Sequence, residues 1–382
     1  MTEVSERPHL QRAYRMGRAE EYGTLQALAQ EVQRLEATKR DFIVDTRRMS
    51  FSTVEHENVA TSFLTFDAPE PGHDEGINGG PVNEHAHRQI RERLNIPARY
   101  YERLRKEAHP LLDTNVQHWL SNPPNERQDK RMVRMLDGKV RAFLSNRYRR
   151  LDNIALLDQA ILPVFGERGD GLVYHVAALT DERMYLRAIL PGLEREVKVG
   201  QIVQAGVQIK NSEVGDGALQ IDPYIWKLDC LNGMVSNVGR LRRYHVGREQ
   251  EETAYAMWAD DTLSAIDAAF FLQVRDAVNA ALSETQFELI VRDMREAATG
   301  ERIADPVAST ERLTKNYDLS EREGVSLLTH LATGGDLSKW GAANAVTAMA
   351  KDAATFTRQE QLENVGFALV TLPDDEWSRI AR

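Results

Sequence analysis

MVRMLDGKVRAFLS, residues 132–145, reads as two short strands folded back on each other. Met132–Leu136 and Lys139–Ser145 are rich in apolar and β-forming residues. Asp137-Gly138 between them is the dipeptide that best fills the two positive-φ positions of a type I′ hairpin turn. Alternation puts Met132 and Arg134 on one side of the first strand, and Val133 and Met135 on the other. On the return strand Lys139, Arg141 and Phe143 share a face. A tight hairpin seeds an antiparallel sheet, so this stretch sets the fold class.

Outward from it the pattern repeats. Asp152 is placed to cap an apolar helix from Ile154 to Leu162, which Pro163 is expected to end. Strand-like runs 172–179 and 184–190 flank the turn Thr180–Arg183, and runs 202–210 and 218–227 flank Ser212–Gly217. Consecutive strands with short connections imply an antiparallel sheet rather than a doubly wound parallel one. Upstream, Leu25, Leu28, Val32 and Leu35 give a helix over 18–38, packed on its own domain or used for oligomerisation. Strands are expected over 41–46 and 62–66, a Gly/Pro loop over 67–82, a helix capped by Asn83, and another over 98–107. Asn122-Pro123-Pro124-Asn125 marks a boundary. Beyond 250 the spacing turns helical, over 254–283, 284–299, 340–355 and 358–370, with a break at Gly334-Gly335. The expected fold is α+β: a central antiparallel sheet of hairpins, flanking helices and a helical C-terminal part. The expected divisions are 1–39, 40–125, 126–250 and 251–382.

The 382 residues are 42% hydrophobic and 28% charged, a globular composition. No apolar run approaches the roughly 20 residues that span a bilayer, and Met1–Arg18 is polar and mixed in charge, so no secretory signal is expected there. Cys230 is the single cysteine, which excludes an internal disulfide and a cysteine metal cluster. The expected location is the cytoplasm of a bacterial host cell. Net charge is −10, unevenly spread: Lys plus Arg against Asp plus Glu is 16 to 20 over residues 1–126, 20 to 14 over 127–248, and 12 to 24 over 249–382. A basic middle between acidic flanks suits a polyanion or an acidic protein surface.

Within the middle, Arg127, Lys130, Arg131, Arg134, Lys139, Arg141, Arg147, Arg149 and Arg150 stand against Asp129 and Asp137. Tyr148 and Phe143 lie among them, and cations with interleaved aromatic rings hold single strands without sequence preference. A second cluster holds Arg240, Arg242, Arg243, Tyr244, His245 and Arg248. The competing explanation is that these arginines pair with the acidic flanks. Other chemistry is weaker. No phosphate-cradling Gly-Lys-Ser/Thr loop is present, and Gly215–Gly217 reads as a turn. His73, Asp74, Glu75, Glu84, His85 and His87 do not make a metal set, because His85 and His87 sit about 200° apart on a helix. Cys230 with His245 or His175 is a formal thiolate pair, yet a lone cysteine after a strand is usually buried. No cofactor is implied.

Several runs carry a resemblance: Glu84–Tyr101 (EHAHRQIRERLNIPARYY), Trp119-Leu120, Arg141–Asn153 (RAFLSNRYRRLDN), Gly206–Gly217 (GVQIKNSEVGDG) and Cys230–Met234 (CLNGM). In this order they resemble the phage/plasmid-like family catalogued as domain of unknown function 932, over roughly residues 40–260. Asn344–Thr347 and Glu363–Gly366 are similar to that family's C-terminal end. The resemblance implies a mobile-element origin and no established activity. Asn211, Ser212, Glu213, Gly215 and Gly217 match its most distinctive motif, as a shaped turn or as a site lined by Ser212 and Glu213.

The leading expectation is a DNA-binding protein, single strands favoured, acting in recombination or replication as a homo-oligomer without membrane contact. Its contacts would be Arg131, Arg134, Lys139, Arg141, Arg147, Arg149, Arg150, Arg240, Arg242 and Arg243 to phosphate, with Tyr148 stacking. The alternatives are an enzyme using Cys230, His245 or Glu213, and a factor docking an acidic host protein.

Overall fold

The hairpin forms where the sequence places it, with β6 at Lys130–Leu136 and β7 at Lys139–Ser145. Asp137 and Gly138 take φ of 48° and 74°, the two left-handed positions of a type I′ turn. This is a computed structural model of the chain. It describes residues 20–21, 24–57, 59–67, 77–123, 130–168, 171–228, 232–243, 260–353 and 355–382.

The pairing contains one departure from simple alternation. Arg134 faces Ala142 and Met135 faces Val140, so Arg141 is the extra residue of a β-bulge. The bulge lets Val140 and Phe143 both enter the core with Val133 and Met135. It also turns Arg141 to the opposite side, away from the Phe143 face on which alternation placed it.

β2 (Arg40–Asp45) pairs antiparallel with β6, giving a sheet of order β2-β6-β7. The expected boundary near residue 125 therefore falls between two strands of one sheet. A second sheet joins β3 (Met49–His56), β4 (Val59–Asp67) and β5 (Ile77–Pro81) in that order. Here β5 replaces the end of the expected Gly/Pro loop. Gly80 makes this possible: a Cβ there would lie 2.1 Å from the Gly138 carbonyl at the hairpin tip. Helices α2 (Glu84–Arg93), α3 (Ala98–Glu107) and α4 (His109–Ser121) close this half around Phe42, Phe51, Leu64, Phe66, Tyr101 and Phe143.

The large sheet has the order β1-β8-β9-β10-β11-β12, with β13 also on β11. Its strands are β1 (Glu20–Glu21), β8 (Val173–Leu179), β9 (Met184–Lys198), β10 (Gln201–Asn211), β11 (Leu219–Lys227), β12 (Asn232–Val235) and β13 (Leu241–Arg243). Every described pairing within this sheet is antiparallel, and the fold is α+β with a helical C-terminal part. One face presents Leu186, Ala188, Val207, Ile209 and Ile221 to α1 (Leu25–Thr38) and α7 (Asp260–Ala281). Helix α1 buries Leu25, Leu28 and Val32 there, so it packs on its own chain. Phe270, Phe271, Val274 and Val278 of α7 are buried, each by about 1.5–3 kcal/mol of burial free energy.

Between these elements the chain runs through α5 (Asn153–Leu156), a π-turn (Leu157–Ile161) and α6 (Leu162–Glu167). Pro163 does not end the helix as expected. The wider turn before it puts Pro163 in the first turn of α6, where a missing N–H costs nothing. Asp152 makes no side-chain cap either; its carboxylate is committed elsewhere.

A second core joins Leu193, Val203, Ala205, Ile225 and Met234 of the large sheet to α8 (Glu284–Thr299), α9 (Pro306–Asn316), α10 (Glu321–Gly334), α11 (Lys339–Met349), α12 (Phe356–Val370) and α13 (Asp374–Ala381). Trp340 is fully buried and its indole N–H still finds Gln201 Oε1 at 2.6 Å. Among the described residues no helix is long and apolar enough to cross a membrane.

Candidate functional site

Arg134 sits at the centre of the polar interior, with no exposed surface. Its guanidinium is bidentate to Asp41, donating from Nε at 2.8 Å and from Nη2 at 2.9 Å. Nη2 also reaches Asp152 at 2.7 Å, and Nη1 donates to the Glu213 carbonyl at 2.7 Å. The bulged Arg141 donates to Glu213 Oε2 at 2.7 Å, and the Asn153 backbone N–H donates to Glu213 Oε1 at 2.7 Å. Lys39 lies 3.0 Å from Asp152 and 3.7 Å from Glu213. Burial pushes the Glu213 and Asp152 carboxyls up, but Arg141, Arg134 and Lys39 more than offset it and hold both below their ordinary values.

The 211–217 turn is the plug that brings these groups together. Ser212 Oγ accepts the Asp216 N–H at 2.9 Å, and Asn211 Nδ2 donates to the Leu151 carbonyl at 2.7 Å. Gly215 has φ of 77°, and a Cβ there would stand 2.7 Å from Leu144. Beside Gly217, Arg183 donates to the Asp216 carboxylate at 2.6 Å. From helix α2, His85 donates through Nε2 to the Val214 carbonyl at 2.8 Å. Arg88 donates to Asp216 at 2.9 Å. His87, on the other side of α2, meets the Tyr101 hydroxyl at 2.8 Å. The two histidines thus face separate interiors, as their spacing requires.

This geometry corrects the contact set expected from sequence. Arg134 is neutralised inside the chain and cannot reach a phosphate without breaking the cluster, and Arg141 is buried against Glu213, off any open surface along which a nucleic-acid strand could run. Tyr148 is buried and donates its hydroxyl to the Ser212 carbonyl at 2.9 Å, so it offers no stacking face. Arg131 is buried, its guanidinium 6.0 Å from the Phe143 ring centre. Arg240 is held by Asp222 at 2.5 Å and Asn364 at 2.8 Å. Glu213 has both oxygens engaged, which removes it as a free catalytic acid or base. Cys230, Tyr244, His245, Arg248, Arg127 and the 73–75 group lie outside the described residues.

Of the remaining cations, Arg149 and Arg243 are brought to one helix from two distant segments. Arg149 lies over Phe270 of α7, its guanidinium 4.8 Å from the ring centre. Arg243 donates to Gln273, one turn further along the same helix, at 3.1 Å. Arg242 is exposed beside it on β13, Arg147 is half-buried, and the Arg150 side chain is 49% exposed, 3.5 Å from Asp41. Lys139 is exposed at the hairpin tip.

A second buried network lies on the C-terminal side and was not legible in the sequence. Arg187, Gln208 and Asp222 are register partners across β9, β10 and β11. Arg187 pairs with the buried Glu363 of α12 at 2.6 Å, and Gln208 donates to Glu360 at 2.9 Å. Burial pushes the Glu363 and Asp222 carboxyls up, against the pull of Arg187 and Arg240. The signal available was the alternation of Gly206, Gln208 and Lys210 with apolar Val207 and Ile209. Comparison with family models, curated proteins and solved structures returns no match, so the geometry alone carries the functional reasoning.

Proposed function

We propose that this chain is a DNA-binding protein of a mobile element. It contacts the phosphate backbone through the surface where the 147–150 segment and β13 meet α7. The observation that supports this is the convergence of Arg149 on Phe270 and Arg243 on Gln273. Two basic segments over ninety positions apart, each weak alone, are thereby joined on adjacent turns of one helix. The buried arginines have a different part: they fix the 146–152 segment by tying Asp152 and Asp41 to β6.

With Tyr148 buried, the contact is to phosphate and not to base faces, so discrimination between single and double strands is modest. A strip this small holds DNA tightly only when repeated. Self-association into a homo-oligomer is therefore part of the same proposal, because it multiplies the contact without new chemistry.

Fluorescence anisotropy with labelled single- and double-stranded DNA at low salt tests it. The expected result is saturable binding that falls about tenfold or more in the Arg149→Glu, Arg243→Glu double variant. Arg103→Glu, an exposed residue on α3, serves as the control and is expected to bind normally. No binding at low salt, or equal loss in the control, would contradict the proposal.

A further inference from the structure

Between the hairpin tip, α1 and the turn joining β8 to β9 lies a cleft of about 280 Å³. Lys139, Arg141, Asn83 and Asn153 line it. The oxygens of both amides are already engaged. Asn83 Oδ1 accepts the Ala86 N–H at 2.8 Å as the cap of α2, and Asn153 Oδ1 accepts from Asn211 Nδ2 at 2.9 Å. Each amide is left with its NH2 group, which only donates. Arg141 commits Nη2 to Glu213 and lines the cleft, its Nε buried without a hydrogen-bond partner among the described residues. Lys139 makes no hydrogen bond or ion pair among the described residues. Glu213, which also lines the cleft, has both oxygens occupied by Arg141 and the Asn153 N–H.

Four donor groups, two of them cationic, thus share one cavity with no unengaged amide oxygen among them. The bulge in β7 produces this arrangement, since without it Arg141 would point into the core; re-aiming a side chain is a known use of bulges at ligand sites. Asp181, Glu182, Glu31 and Asp137 also line the cleft, the last two beside Arg34 at 2.6 and 3.8 Å. Carboxylates there oppose a second anionic group and favour hydroxyl or amine donors.

We infer that this cleft binds a polar small molecule through a single phosphate group, held by Lys139, Arg141, Asn83 and Asn153. The site is separate from the arginine strip on α7.

Isothermal titration calorimetry on the full chain, with inorganic phosphate, ribose 5-phosphate and acetate at matched ionic strength, tests this. Phosphate is expected to bind, ribose 5-phosphate to bind more tightly, and acetate not to bind. Asn83→Asp keeps the capping oxygen but replaces the donors with an anion, and Lys139→Ala removes an exposed cation. Each is expected to weaken phosphate binding about tenfold or more. Arg149→Glu is expected to leave it unchanged, which separates this site from the DNA surface. Circular dichroism confirms that the variants are folded. Absence of saturable phosphate binding overturns the inference, as does acetate binding equal to phosphate. Binding that neither cleft substitution weakens marks an adventitious ion only and overturns it too.

Discussion

Removing the Arg134 guanidinium would leave Asp41 and Asp152 charged, close together and without their main counter-ion. Breaking one partner out of a buried ion cluster costs about 3–5 kcal/mol, because the charges left behind cannot be rehydrated. Arg134→Met is therefore expected to lower the urea unfolding midpoint sharply, and a loss below about 1 kcal/mol would show that the cluster is solvated. The same residues set a pH dependence. Asp152 and Glu213 are held below their ordinary values of 3.8 and 4.5 in the folded chain. Their contribution is then complete above the unfolded values and is lost as pH falls through the folded ones. Stability is expected to drop from about pH 5 downward, and less steeply in Arg134→Met. The basic character of residues 127–150 was legible in the sequence, but the fate of each charge was not. Asp41 lies 93 positions from Arg134, and local spacing carries no sign of that pairing.

Elements with a strong local signal formed as the sequence indicates: the Asp137-Gly138 hairpin, the Asn83-capped helix α2, and β10 with β11. Those that differ were decided by contacts made far along the chain. Strand β5 pairs with β4 although its composition reads as loop, and its glycines allow the close approach: Gly79 to the Leu64 carbonyl and Gly80 to the hairpin tip. Pro163 is accommodated because the π-turn shifts its register in the helix, which no periodicity reveals. Helices α9 and α10 carry little local signal, since their apolar stripes are short and interrupted by charges. The 211–217 turn was legible as a turn, and its glycines carry that role. Gly215→Ala would force a side chain into φ of 77° and against Leu144. A loss of about 1–3 kcal/mol in thermal or urea unfolding is expected, whereas an unchanged midpoint would mean the turn is free to relax.

Across the whole molecule, positive charge divides into two populations. Arg134, Arg141, Arg187 and Arg240 are spent on internal carboxylates that join the sheets to each other and to the C-terminal helices. Arg149 and Arg243 meet α7, at Phe270 and Gln273, and on these the DNA proposal depends. Phosphate contacts release condensed counter-ions, so their number can be read from salt dependence. The slope of log binding constant against log salt is about −0.7 to −0.9 for each phosphate neutralised. The most direct measurement is that slope for the wild type, Arg243→Ala and Arg131→Ala, taken by anisotropy on one oligonucleotide. The expected result is a steep wild-type slope, reduced by about one contact in Arg243→Ala and unchanged in Arg131→Ala, whose side chain is buried. A flat wild-type slope, or a reduction in Arg131→Ala with none in Arg243→Ala, would contradict it.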